Sequence, residues 1–189
     1  YSMAKSIDGG YVIAGWAYSN DGDVTSINGG NDMWIIKIDS TGTLLWQKCY
    51  GAYLGTEEAM SIKQTPDSGF IIAGTADRNG GDVSGLHQYG AFTDFWIVKI
   101  NEVGILQWQK CFGGTDMETP FDIELTSDGG YIVVGETGSG DGDITTYYGG
   151  YDAWVVKMDS TGNLQWQKNL GGFLDDGFQA SVQQTNDGG

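Results

Sequence analysis

The chain has 189 residues, including 32 glycines and two prolines, and carries a formal net charge of -16 with only nine lysines and arginines. That length suffices for one ordinary domain with a sizeable core. The charge argues against a nucleic-acid partner, whose phosphates demand a cationic surface, and no run of about 18 apolar residues is present to span a membrane.

In chain order, the first clear signal is "DGGYVIAG" at 8–15, a turn followed by an apolar run. A long polar loop (16–31) leads to "DMWIIKID" at 32–39 and then to "DSTGTLLWQK" at 39–48. The pattern then returns. "DSGFIIAG" (67–74) and "DGGYIVVG" (128–135) match the first run; "DFWIVKIN" (94–101) and "DAWVVKMD" (152–159) match the second. "NEVGILQWQK" (101–110) and "DSTGNLQWQK" (159–168) match the third. The spacing is 59 and then 61 residues (8 to 67, 67 to 128). A repeat of this length is the primary organisation of the chain.

Each period holds four short apolar or alternating runs between turn signals, read as strands A to D. In the second copy A is 59–65, B is 69–75, C is 94–100 and D is 105–111. Strand B is apolar on both faces, as in a strand between two layers. No segment shows capped helical periodicity. Four antiparallel strands in about 60 residues make a β-propeller blade, which must stack on neighbours to bury its faces. The expected fold is therefore all-β: four-stranded antiparallel β-propeller blades at about 1–49, 59–111 and 119–169. The first strand of a fourth is expected within 178–189, with "ASVQQT" at 180–185. More chain, or another copy of it, is expected to complete the ring. A three-sheet prism is the alternative. The chain opens on Tyr1 with no visible signal peptide, which suggests a processed form or a fragment.

The "DGGYVIAG" hairpin, the long loop after it, "DMWIIKIDSTGTLLWQK" and "YGAYLGTEEAMSI" together resemble secreted β-propeller repeats of about 60 residues. Such repeats are found in large surface proteins of Bacteroidetes-type bacteria. The D-x-x-G-x-x-x-W stretch is similar to the C–D turns of sialidase Asp boxes and of quinoprotein tryptophan repeats. The resemblance covers essentially the whole chain and implies a secreted or cell-surface location.

The repeated turn reads as structural. Asp39 and Asp159 suit an Asx-turn, in which the side chain accepts from the backbone two residues on, and Gly42, Gly104 and Gly162 supply positive φ. Asn101 replaces Asp in the middle copy, so the position needs an acceptor rather than a carboxylate for catalysis or metal. Trp46, Trp108 and Trp166, with Trp34, Trp96 and Trp154, are expected to form packing layers between blades. Lys37, Lys99, Lys157, Lys48, Lys110 and Lys168 read as solvated edges. Cys49 and Cys111 occupy equivalent strands, too far apart for a disulfide, and are expected to be free and largely buried.

Function is expected where the copies differ. The B–C loops (16–31, 76–93, 136–151) are long and share a face with the D–A loops. That face gathers acidic residues with Trp16, Tyr18, Tyr89, Phe92, Tyr147, Tyr148 and Tyr151, the ligand-binding candidates. Asp21, Asp23, Asp82, Asp141 and Asp143 lie in D-G-D or D-[VI]-[ST] elements, which read either as calcium ligands or as turns. No catalytic residue stands out: the chain has one histidine, His87, no phosphate-cradling loop and no nucleophile signature. The expected function is an extracellular or cell-surface binding or scaffold module. It would contact carbohydrate, protein or a cation such as calcium, without nucleic acid and without membrane insertion. Alternatives are part of a glycan-active propeller enzyme completed by further blades, or a purely structural spacer.

Overall fold

The computed structural model of the chain describes residues 1–87, 92–176 and 179–185. The fold is all-β, with twelve strands and no helix among the described residues. A first antiparallel unit contains β1 (Ser2–Lys5), β2 (Tyr11–Ala17), β3 (Gly30–Ile38) and β4 (Leu44–Tyr50). A second contains β5 (Gly55–Gln64), β6 (Phe70–Ala76), β7 (Asp94–Ile100) and β8 (Leu106–Phe112). A third contains β9 (Glu118–Leu125), β10 (Tyr131–Thr137), β11 (Asp152–Met158) and β12 (Leu164–Leu170). A parallel bridge, Gly30 to Gly55 and Asn31 to Thr56, joins the first two units into one eight-stranded sheet; the third is a separate four-stranded sheet. Single bonds mark the same place farther on, from Glu118 N to Thr93 O (2.6 Å) and from Asp176 N to Tyr151 O (2.7 Å).

Register recurs with the sequence. Tyr11 pairs with Ile38, Phe70 with Ile100 and Tyr131 with Met158. The third and fourth strands of each unit slip by one residue immediately after Lys37, Lys99 and Lys157. These lysines are not the solvated edges expected from sequence. They are 5%, 4% and 7% exposed, and their ammonium groups meet Asp8 (2.7 Å), Asp67 (2.9 Å) and Asp128 (2.8 Å) at the preceding hairpin. The extra residue of each slip is on the fourth strand; Lys37 keeps the regular alternation of β3 with buried Met33 and Ile35, and its ammonium reaches beneath the A–B turn, where an aspartate neutralises it.

The middle unit is covered on both faces: every residue of β6 and β7 is buried. In the outer units burial alternates with opposite phase. Val12 and Ala14 are buried in β2, whereas Tyr131, Val133 and Gly135 are buried in β10. One core joins Val12, Ala14, Met33 and Ile35 to Phe70, Ile72, Trp96 and Val98. The other joins Ile71, Ala73, Phe95 and Ile97 to Tyr131, Val133, Trp154 and Val156. Burying one such aromatic contributes about 2–3 kcal/mol.

The recurring turn couples one unit to the next. Gly104 (φ 77°) leaves room for Trp46, whose ring carbons would lie 3.2 Å from an added Cβ, and Trp46 Nε1 donates to Glu102 O (3.2 Å). Gly162 (φ 80°) takes Trp108 in the same way. The tryptophans are less uniform than expected. Trp96 and Trp154 are fully buried, Trp34, Trp46 and Trp108 are half-buried, and Trp166 is 45% exposed. Asp39, Asn101 and Asp159 make the expected Asx-turns, each Oδ1 accepting from backbone N–H groups two and four residues on (2.8–3.1 Å).

Two further expectations change. Residues 179–185 belong to no strand, and Phe178 and residues 186–189 lie outside the described residues. Cys49 and Cys111 are free, but half-buried rather than enclosed.

Candidate functional site

The long B–C loops are fixed at their bases by a relay repeated in all three units. Trp34, Trp96 and Trp154 each donate an indole N–H (2.9 Å) to Gln47, Gln109 and Gln167 of the adjoining strand. Each glutamine then donates through Nε2 to a loop residue: Thr25, Ser84 or Thr145. These glutamines are the Q of the repeated "WQK", a signal present in the sequence whose role its spacing did not reveal. The residue before each loop acceptor, Val24, Val83 or Ile144, is buried and plugs the loop onto the sheet.

The aspartates singled out as calcium ligands mostly serve as loop anchors. Asp82 N donates to Gly51 O (3.0 Å) and its carboxylate accepts from Gly51 N (3.2 Å). Asp143 makes the same pair with Gly113 (2.9 and 3.2 Å). Asp141 accepts from Thr115 N (2.8 Å) and Thr115 Oγ1 (2.9 Å). Backbone turns close on Val24, Val83 and Ile144, the turn reading of these elements. Asp21 and Asp23 are exposed. Among the described residues, no group of three or more His, Cys, Asp or Glu is arranged to hold a metal ion.

Behind these anchors lies a feature the sequence did not show. Part of the acidic face is buried between units. Asp32 and Glu57, both fully buried, close on Gly51, where any Cβ would collide with Glu57 Oε2 and crowd Asp32 Oδ1. Asp94 and Glu118 close on Gly113 in the same way at the next junction. Asp32 Oδ1 and Glu57 Oε1 lack a hydrogen-bond partner among the described residues. Burial pushes Glu57 up to about 8, helped by Asp77 and Asp32 and opposed by the Ala52 N–H. Burial likewise pushes Glu118 up to about 7, against hydrogen bonds from Thr137, Ser139 and Gly114. Asp32 and Asp94 also move up through burial.

The second junction also recruits the single histidine of the sequence, His87. Its Nδ1 lies 2.9 Å from Asp94 Oδ2 and its Nε2 3.6 Å from Asp143 Oδ2. Burial alone would lower its pKa; the bond to Asp94 and the charge of Asp143 outweigh that and raise it.

The aromatic candidates separate into two sets. Trp16 is 41% exposed, but its indole donates to Tyr1 Oη (2.8 Å) and it lines a cavity of about 280 Å³ with Ile13, Trp34 and Ile36 on the open face of the first unit. It is not at the loop tips. Tyr18 (73% exposed), Tyr147 (52%), Tyr148 (47%) and Phe92 (36%) lie in the loops. Tyr147 and Tyr151 pack over Gly140 and Gly138. The Tyr151 hydroxyl is held protonated by burial and by Asp116, Glu136 and Asp175. Tyr89 lies outside the described residues.

No family model matches the chain, and no curated protein matches it. Among solved structures it is similar to a protein of unknown function from Bacteroides caccae, determined at 1.35 Å resolution, with a TM-score of 0.52 and 15% identity. The match covers 99% of this chain and 50% of that one, so the chain spans about half the length of that neighbour.

Proposed function

We propose that this chain is the three-bladed part of a secreted or cell-surface β-propeller that binds carbohydrate or protein through its loop face. One observation carries the reading. The Trp–Gln relay fixes the loop bases in all three units and aspartate anchors in two, while Tyr18, Tyr147 and Tyr148 stand exposed with no hydrogen-bonding duty of that kind. Exposed tyrosines on a rigid base give large contact area at low entropic cost. The stacked four-stranded units support the propeller, and the resemblance to Bacteroidetes-type repeats supports its location. The loop aspartates act as anchors in this reading, and no step or contact is routed through calcium. Screening the immobilised protein against a glycan panel, and against proteins of a bacterial cell surface, tests the proposal. Saturable binding competed by one glycan or protein class supports it, and no binding in either screen favours a spacer.

A further inference from the structure

The buried lysine of the first unit is held differently from the other two. Lys99 and Lys157 each donate to a glutamine of the outer strand, Gln107 (3.1 Å) and Gln165 (2.9 Å). Each also donates to the next carbonyl, Ile100 O (3.2 Å) and Met158 O (3.0 Å). The glutamine is the extra residue of the slip in its unit. In the first unit that residue is Leu45, which has no side-chain acceptor. Among the described residues, the Lys37 ammonium has two polar partners, Asp8 Oδ2 (2.7 Å) and Ser6 Oγ (2.5 Å). Its direction differs as well. The Lys99 and Lys157 ammoniums lie 2.5 and 2.7 Å from a Cβ added at Gly69 and Gly130, whereas the nearest atoms at Gly10 are Ile38 O, Asp39 Cα and Asp8 Oδ1. Lys37 thus keeps one of three donors unspent although its side chain is 6% exposed; the Phe70 ring, 5.7 Å away, compensates weakly.

Lys37 and Leu45 line a cleft of about 360 Å³ between the first and second units, on the face of the short turns and opposite the long loops. Asp8, Ser6 and Gln64 supply its polar side. The Asp8 side chain is 52% exposed and can accept from a ligand. Leu45, Trp46 and Val103 form its apolar side. Both walls belong to units inside the chain, so the cleft is complete as it stands.

We propose that this cleft binds one neutral sugar ring, a site separate from the loop face and independent of it. A ring hydroxyl can accept from Lys37 and donate to Asp8 at once, two charge-assisted hydrogen bonds made by one group. The C–H face of the ring then lies against Leu45, Trp46 and Val103, the mixed lining expected of a small-molecule site. Other ligand classes fit less well. An anion would meet Asp8, which Lys37 holds down to about 2 and therefore charged, and the exposed Glu102 at the rim. A cation would meet the Lys37 ammonium. A wholly apolar group would cover Lys37 and Asp8 without pairing them. An extended peptide needs a strand edge to run along, and this cleft is bordered by the turns at 6–8, 68 and 102–103.

The test is a nuclear magnetic resonance titration of the full chain with glucose, galactose, mannose and N-acetylglucosamine, each alone. Inorganic phosphate and an N-acetylated triglycine amide serve as anion and peptide controls. A single ring of about a dozen heavy atoms is held weakly, so saturation with a dissociation constant of about 1–10 mM is expected for at least one sugar. The Trp46 indole and Leu45 methyl signals should shift as it binds. Leu45→Gln installs the residue both other units carry at this place, fills the cleft and gives Lys37 its third partner. It should weaken binding at least tenfold without lowering the melting temperature. Val103→Glu, on the 50% exposed opposite wall, should do the same without reaching the core. No sugar shifting the Trp46 signal, a control binding in place of the sugars, or affinity unchanged in both variants would each overturn the proposal. Any of these leaves the loop-face reading untouched, because the Trp46 signal reports on this cleft.

Discussion

Lys99 lies 4% exposed beneath the A–B hairpin of its unit, with its Nζ 2.9 Å from Asp67 Oδ2. The same ammonium donates to Ile100 O (3.2 Å) and Gln107 Oε1 (3.1 Å), so one buried cation ties a bulge, a turn and the outer strand together. The aspartate is half-exposed, which makes the two partners unequal. Asp67→Ala strands a buried charge and should cost about 2 kcal/mol, less than for a wholly buried pair; Lys99→Met removes the charge itself and should cost less. Urea unfolding of both variants checks the order, and a costlier Lys99→Met would show that the lysine's other bonds dominate.

Stability should fall from mildly acidic to mildly alkaline pH. Glu57 and Glu118 bind protons more tightly folded than unfolded, with folded values of about 8 and about 7. Between their ordinary values near 4.5 and those values the folded state holds more protons, so raising pH costs stability. His87, also raised, acts in the same direction above its ordinary value. Asp8, Asp67 and Asp128 are held low, and their contribution is lost as pH falls below their ordinary 3.8. The maximum is therefore expected near pH 4, between the ordinary values of 3.8 and 4.5. Thermal melts from pH 3 to 9 should show it, and Glu57→Gln should flatten the alkaline limb. A maximum at pH 8 would contradict the buried acid pairs.

Gln109 links Trp96 to the second loop through Ser84. Replacing it with leucine leaves a buried indole N–H without its acceptor and should cost about 1–3 kcal/mol. Loop amides near Ser84 should also exchange faster with deuterium. Loss of stability without faster loop exchange would leave the glutamine a role in packing alone.

Ser68 holds φ 67° where the equivalent turns use Gly9 and Gly129. A serine there bears strain that glycine avoids. Ser68→Gly should therefore raise stability by about 0.5–1 kcal/mol despite glycine's greater unfolded freedom. A lower melting temperature would mean that the serine side chain is needed.

Much of this was legible in the sequence. Strand C, read as 94–100, is Asp94–Ile100, and strand B, read as 69–75, is Phe70–Ala76. Three-fold repetition exposed the turns, and Asn101 identified the first position as an acceptor. What escaped lies across unit boundaries. Lys37, Lys99 and Lys157 look solvated in a linear pattern because their aspartates sit about 30 residues earlier, and only the pairing of the second and third strands brings them together. Glu57 and Glu118 look like loop surface because the Asp that faces each belongs to the neighbouring unit. Trp16 read as one of the loop-face candidates, yet it bonds to Tyr1 and shares a cavity with Trp34 and Ile36.

The central claim is that recognition resides on the exposed tyrosines of the third loop, above a scaffold that does not depend on them. Tyr147→Ala with Tyr148→Ala, measured by titration against the best ligand of the glycan and protein screens, tests it most directly. The account predicts at least tenfold weaker binding with an unchanged melting temperature. Unchanged affinity, or affinity lost together with the fold, would contradict it.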